Sequence, residues 1–134
     1  MIRYGSELAG NVVAQNEEAL FPALVVADLR REAASVTQDY KNFVALNVNN
    51  HCVRVAVMQG EFPWHQHPHS DECFLVLDGE LEIDLADRRT FCLKPGQAFS
   101  VPAGVVHRTR SHARAVNLCF EDRNAYTEAV FVEP

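Results

Sequence analysis

The chain has 134 residues, of which 48% are apolar and 22% charged, with a formal net charge of -6. That suits one domain with a real core and is too short for two large ones, and the negative balance argues against nucleic-acid or anionic-membrane partners. No apolar run reaches the roughly 20 residues of a membrane span, and residues 1–5 lack the apolar stretch of a signal peptide, so a cytoplasmic location is expected.

Residues 1–22 are of mixed polarity, end at Phe21-Pro22 and read as an irregular arm. Residues 23–36 carry Leu24, Ala27, Leu29, Ala33 and Ala34 among charges, which predicts one short helix packed outside the main body, capped by Asp28 if it begins late. From residue 42 the texture turns to strands. Residues 43–48 are followed by Asn49-Asn50, a pair that tolerates a tight hairpin. Residues 51–59 alternate, placing Val53, Val55 and Val57 on one face. Residues 72–77 lead into Asp78-Gly79, a strong hairpin signal, and then into residues 80–85, where Leu81, Ile83 and Leu85 should point in and Glu80, Glu82 and Asp84 out. Residues 90–93, 98–101, 105–110 and 113–120 complete about eight short strands. Such spacing indicates an all-β, antiparallel sandwich or barrel. The expected organisation is an arm and helix over residues 1–40, belonging to the same domain as a barrel over residues 41–134.

Four cysteines, Cys52, Cys73, Cys92 and Cys119, are widely spaced and lie inside strand-like segments. With no C-x-x-C pair they read as reduced core thiols, not a zinc-thiolate site or a disulfide framework.

The chemistry gathers at His65, His67, Glu72 and His107. His65 and His67 are two apart, so on an extended chain both imidazoles leave the same face. Glu72 follows a short polar stretch and shares its strand face with Phe74 and Val76; Asp71 is the neighbouring competitor. His107 comes after Pro102-x-Gly104, where another strand can approach the same point. Imidazole plus carboxylate is a ligand set that Fe, Mn, Ni, Co or Zn accepts, so one divalent transition metal is expected. In an octahedron four such ligands leave two positions open. His69 reads as a loop histidine, with spare-ligand, outer-shell and proton-carrying roles as alternatives, while His51 and His112 read as surface residues. Phe62, Trp64, Phe74 and Phe99 are candidates for an apolar mouth, and Arg54 and Arg110 either meet an anionic substrate or, by default, solvent or a salt bridge.

These residues resemble the two signature motifs of the cupin superfamily. The first is His65-x-His67, four residues, Glu72, six residues, Gly79; the second runs from Gly96 through Pro102-x-Gly104 to His107. Gly60 lies one residue closer to His65 than the family pattern usually has it, and Ser111 stands where that pattern closes on Asn. The resemblance is close over roughly residues 50–111 and implies a single-domain small cupin, of the type often called mannose-6-phosphate isomerase-like. It implies a jelly-roll β-barrel, a metal held by His65, His67, Glu72 and His107, and a homodimer through paired sheets.

The function expected is a metal-dependent, dioxygenase-like enzyme acting on a small oxygenated organic molecule, with Glu72 and His107 as its catalytic residues. The alternatives are a non-oxidative isomerase or cyclase and a non-catalytic binder of a small ligand or metal, since one scaffold hosts many activities.

Overall fold

The computed structural model describes residues 17–134. The earlier part of the expected arm lies outside the described residues. Among the described residues one helix, α1 (Leu29–Ala34), precedes eight strands. These are β1 (Tyr40–Val48), β2 (His51–Gln66), β3 (Glu72–Asp78), β4 (Leu81–Leu85), β5 (Thr90–Leu93), β6 (Ala98–Val101), β7 (His107–Asp122) and β8 (Val130–Phe131). All pairings are antiparallel, in the order β1-β2-β7-β3-β6, with β4 on β7, β5 on β4 and β8 on β2. The fold is a jelly-roll barrel with one short helix outside, as the alternating segments predict.

The helix is shorter than the 23–36 expected from sequence. It begins late because Asp28 supplies the cap, its Oδ1 accepting from the Arg31 N–H at 3.1 Å. Before it, Leu24 takes a positive φ of 64°, which a helix cannot contain.

The turns fall where their residues predict. Asn49 takes φ 53° between β1 and β2, and Gly79 takes φ 76° between β3 and β4.

Two long strands organise the rest. β2 continues beyond residue 59 because bulges between Met58 and Gly60 and between Phe62 and His65 absorb its changes of register with β7. Gly60 sits at the first bulge with φ 123°, paired with Ser111, whose hydroxyl donates to the Met58 carbonyl at 3.2 Å. Ser111, the departure from the family pattern, therefore secures the bulge.

β7 is one strand where the sequence read two. Residues 107–110 pair with β4 and residues 116–120 with β3, so the strand changes neighbour along its length. Residues 112–114 are exposed at the crossing, and their polarity mimics a turn.

The sheet around β2 is buried on both faces. Outward, Val53, Val55 and Val57 pack with Val116, Leu118, Ala33 and Val36 under α1. Inward, Met58, Phe62, Phe74, Val76, Leu81 and Ile83 form the barrel core. Each fully buried aliphatic side chain contributes about 1.5–3 kcal/mol. The Arg114 guanidinium donates to the Ala33 carbonyl at 2.5 Å, tying the helix end to the barrel. The free edge of β1 is partly covered: the Leu20 and Phe21 N–H groups donate to the Val44 and Ala45 carbonyls at 2.8 and 3.0 Å.

Some individual expectations fail for local reasons. Leu81, Ile83 and Leu85 point in as predicted, but Asp84 is also buried, because Arg108, Arg110 and Thr90 enclose its carboxylate on the outer face. Those partners hold Asp84 below the usual carboxylate range against the opposing effect of burial. The cysteines are all free, but Cys92 is exposed and Cys73 half-buried, so only Cys52 and Cys119 are core thiols.

Gly79 cannot be exchanged cheaply. A Cβ there would lie 2.6 Å from the Arg114 carbonyl oxygen at φ +76°, and a non-glycine residue in the left-handed region costs about 1–3 kcal/mol before any clash. Gly79→Ala should lower the urea midpoint by at least that equivalent with an unchanged m-value. An unchanged midpoint would show that the hairpin relaxes freely.

Candidate metal centre

His65 and His107 are direct cross-strand partners in the β2–β7 register, with ring centroids 4.4 Å apart. His67 follows the end of β2, and Glu72 opens β3. The turns carrying them are clipped together: the Gly104 N–H donates to the His67 carbonyl at 2.9 Å, and the Ala103 N–H to Asp71 Oδ1 at 2.9 Å. Asp71 is thus a loop fastener, exposed and turned away from the cluster. His69 is an exposed loop residue, as expected, and so are His51 and His112.

The four expected donors converge. One ligand atom from each of His65, His67, Glu72 and His107 lies within 4.8 Å of the others, and all four residues are buried. Glu72 Oε1 stands 3.0 Å from His67 Nε2 and 3.1 Å from His107 Nε2. Every imidazole turns its other nitrogen to a backbone carbonyl: His65 Nδ1 to Pro63 at 2.7 Å, His67 to Ala125 at 2.8 Å and His107 to Val105 at 2.9 Å. The proton on Nδ1 is thereby spoken for, and Nε2 becomes the donor atom on each ring. Adjacent ligands of an octahedral ion bound at about 2.1 Å stand about 3 Å apart, which the two Nε2–Oε1 distances match. The donor set therefore fits a divalent transition metal.

Charge at the cluster is tightly coupled. Burial pushes the Glu72 carboxyl up, but the imidazoles of His107 and His67 outweigh it and hold the group well below the usual carboxylate range. Burial lowers His67 as well, and the bond and charge of Glu72 reverse the sign, raising it to about 9. His65, buried and facing the His107 ring, is lowered to about 3.

Glu121, not singled out in the sequence, and the core thiol Cys119 stand beside Glu72. Glu121 is fully buried; neither of its oxygens has a donor facing it among the described residues, and its neighbour is another acceptor, Glu72. Burial and that neighbouring charge push the Glu121 carboxyl well up, so it stays neutral beside an ionised Glu72. Cys119, also beside Glu72, is pushed well up by burial. A glutamate at the end of a polar strand segment gives no signal of burial; only its inward parity with Asn117 and Cys119 on β7 could have found it.

A small cavity of roughly 30 Å³ opens from the cluster into the barrel, and its walls include Phe62 and Phe74. The other two aromatics expected at a mouth lie elsewhere. Trp64 sits against the Arg108 guanidinium at 4.8 Å, and Phe99 stacks on Phe91 at 4.5 Å. Arg54 is buried, not solvated, with Nη1 3.0 Å from Asn42 Oδ1 and 3.5 Å from Glu17 Oε1. Arg110 forms ion pairs with Asp84 and Glu82. Among the described residues no helix is long and apolar enough to cross a membrane.

Comparison with known proteins agrees with this geometry. The sequence profile described as "Cupin domain" matches residues 52–120, and the chain belongs to the cupin family. The uncharacterized protein YdbB of Bacillus subtilis (strain 168) is 49% identical over 102 residues, which cover 76% of this chain and 90% of that protein. Quercetin 2,3-dioxygenase of the same strain is 37% identical over 76 residues, covering 54% of this chain but only 22% of that protein. The crystal structure of a cupin-2 domain containing protein from Shewanella frigidimarina NCIMB 400 superposes with a TM-score of 0.68 at 26% identity, covering 72% of this chain and 94% of that one.

Two outcomes follow for metal binding. Replacing His65 and His67 together by Ala should abolish stoichiometric zinc uptake in calorimetry while leaving a cooperative melt, because the apolar clusters do not depend on the metal; loss of folding would make the site structural. In the metal-free protein the raised His67 contributes stability that is full below its ordinary value of 6.5 and is lost as pH rises through about 9. Zinc uptake at pH 7.5 should therefore expel close to one proton, seen as a binding heat that varies with buffer ionisation enthalpy. A heat independent of buffer would contradict this protonation.

Proposed function

We propose that this cupin is a metal-dependent enzyme of the dioxygenase type, acting on a small oxygenated organic molecule held in the barrel cavity. The observation that carries the proposal is the placement of the donors. His65, His67 and Glu72 form part of the cavity wall, so a ligand entering the barrel meets the cluster directly. A bound divalent metal would supply Lewis-acid polarisation of a substrate oxygen and, if redox-active, a route to dioxygen chemistry.

The chain's own residues supply the rest. His65, His67, His107 and Glu72 would hold the ion, and the carbonyls of Pro63, Ala125 and Val105 fix the imidazole orientations. Phe62 and Phe74, both buried, keep the inner wall apolar and limit water beside the reacting atoms. Glu72 shares Oε1 between two imidazoles, so a proton leaving a substrate hydroxyl has a carboxylate within the cluster to receive it. The similarity to a quercetin dioxygenase supports an oxidative reading, though that match spans a small part of the larger protein.

The test is oxygen uptake by protein reconstituted anaerobically with Fe(II) and offered a panel of catechols and β-diketones. Oxygen consumption should match product formed and fall at least about a hundredfold in His107→Ala, which removes an ion ligand. Turnover at an undiminished rate without oxygen would remove the oxygenase reading in favour of an isomerase or cyclase. Ligand binding with no turnover under any metal would leave a binding module.

A further inference from the structure

The three imidazoles of the cluster do not share one kind of support. His65 and His107 each donate from Nδ1 to a carbonyl two residues earlier in the chain, those of Pro63 and Val105. His67 donates instead to the Ala125 carbonyl, 58 residues further on. A carbonyl oxygen only accepts, so the direction of each bond is fixed. His67 also lies past the end of β2. The Gly104 N–H holds its backbone carbonyl, but the ring takes its orientation from wherever the chain after β7 places Ala125.

That placement is built from bonds whose direction is equally fixed. Asp122, the last residue of β7, receives the Asn124 N–H on its Oδ1 at 2.9 Å, and its carbonyl receives the Ala125 N–H at 3.0 Å. Its own N–H donates to the Ser70 hydroxyl oxygen at 2.9 Å, and that hydroxyl donates onward to the Asp71 carbonyl at 2.7 Å. The Asn124 carbonyl closes the turn, accepting from the Glu128 N–H at 2.9 Å and the Thr127 hydroxyl at 3.0 Å. Beyond the turn, β8 pairs with His65 and Gln66, and the Phe131 ring lies 5.7 Å from that of His65. Ala125 is buried while Asn124 and Glu128 are exposed, so the turn has one side on His67 and the other in solvent.

We propose that Asp122 is a positioning residue for the metal centre. Its carboxylate shapes the turn over residues 122–128, the turn sets the Ala125 carbonyl, and that carbonyl aims His67 Nε2 at the ion. This rests on the metal-binding reading above and adds a consequence to it. Metal affinity and closure of the turn are two readouts of one coupling, and linkage makes the factor equal in both directions. However much the closed turn tightens metal binding, metal binding resists opening of the turn by the same amount.

Zinc affinity by chelator competition and amide hydrogen exchange, both on the full chain, test it together. Asp122→Ala should weaken zinc binding about tenfold, the lower end for loss of support behind a ligand, with the stoichiometry unchanged. Asp122→Asn keeps an acceptor oxygen for the Asn124 N–H and should stay within about twofold of the wild type. Gly79→Ala strains the β3–β4 hairpin, away from this turn, and should also stay within about twofold, which separates positioning from lost stability. In the wild type, zinc should slow exchange of the Ala125 and Glu128 amides about tenfold, matching the affinity effect. Wild-type affinity in Asp122→Ala, a loss as large in Asp122→Asn or in Gly79→Ala, or zinc-independent exchange of those amides would overturn the inference. The exchange measurement needs no variant, so it decides the matter even if Asp122→Ala fails to fold. A wild type that takes up no zinc would overturn the metal-binding reading and this inference together, whereas zinc uptake that leaves the turn unchanged sinks this inference alone.

Discussion

A buried carboxylate is expensive unless cations face it, and Glu72 is the point on which this barrel turns. Its residue is 6% exposed, and imidazole nitrogens stand 3.0 and 3.1 Å from one oxygen. Left alone, such a group would cost several kcal/mol or take up a proton. Its ionised form requires positive charge at the same spot, from His67 without a metal or from a divalent ion with one. The surrounding backbone is consistent with that demand. The β2–β7 register sets His65 opposite His107, and the Gly104-to-His67 and Ala103-to-Asp71 bonds hold the two turns together. Strand pairing, loop clips and ring orientation all lead to one oxygen atom.

A barrel with so polar an interior needs apolar burial elsewhere, and β2 shows where it is found. Its odd residues Val53, Val55 and Val57 pack outward beneath α1, while Arg54, Ala56 and Met58 alternate inward. The outer cluster stabilises the sheet without occupying the cavity. The interior can then carry Asn42, Asn117, Glu121 and Arg54, groups poor for packing and good for binding. The same split explains how metal loss and folding can be separate events here, unlike in domains whose core is the metal itself.

Much of this was legible in the sequence because strand parity is a strong constraint. His65-x-His67, the inward set Glu72, Phe74 and Val76, and the Asp78-Gly79 turn each follow from a period of two or from a positive φ. What was not legible depends on pairing between distant strands. β7 reads as two pieces because residues 112–114 lie exposed where its neighbour changes from β4 to β3. Asp84 looks like a solvent-facing residue until Arg108 and Arg110, over twenty residues away, arrive beside it. Arg54 and Glu121 face inward by parity, but their charge argues for the surface, and only the finished barrel shows what surrounds them. Trp64 and Phe99 illustrate the reverse error, since aromatic character alone does not say which face a side chain takes.

The central claim is that three imidazoles and Glu72, and not the neighbouring thiol of Cys119, form one metal-binding cluster. X-ray absorption at the zinc edge of the loaded protein tests it most directly. The account predicts a first shell of nitrogen and oxygen only, at about 2.0–2.2 Å, with the outer-shell scattering of three imidazoles. A sulfur neighbour at about 2.3 Å, or a shell fitted by a single imidazole, would contradict it.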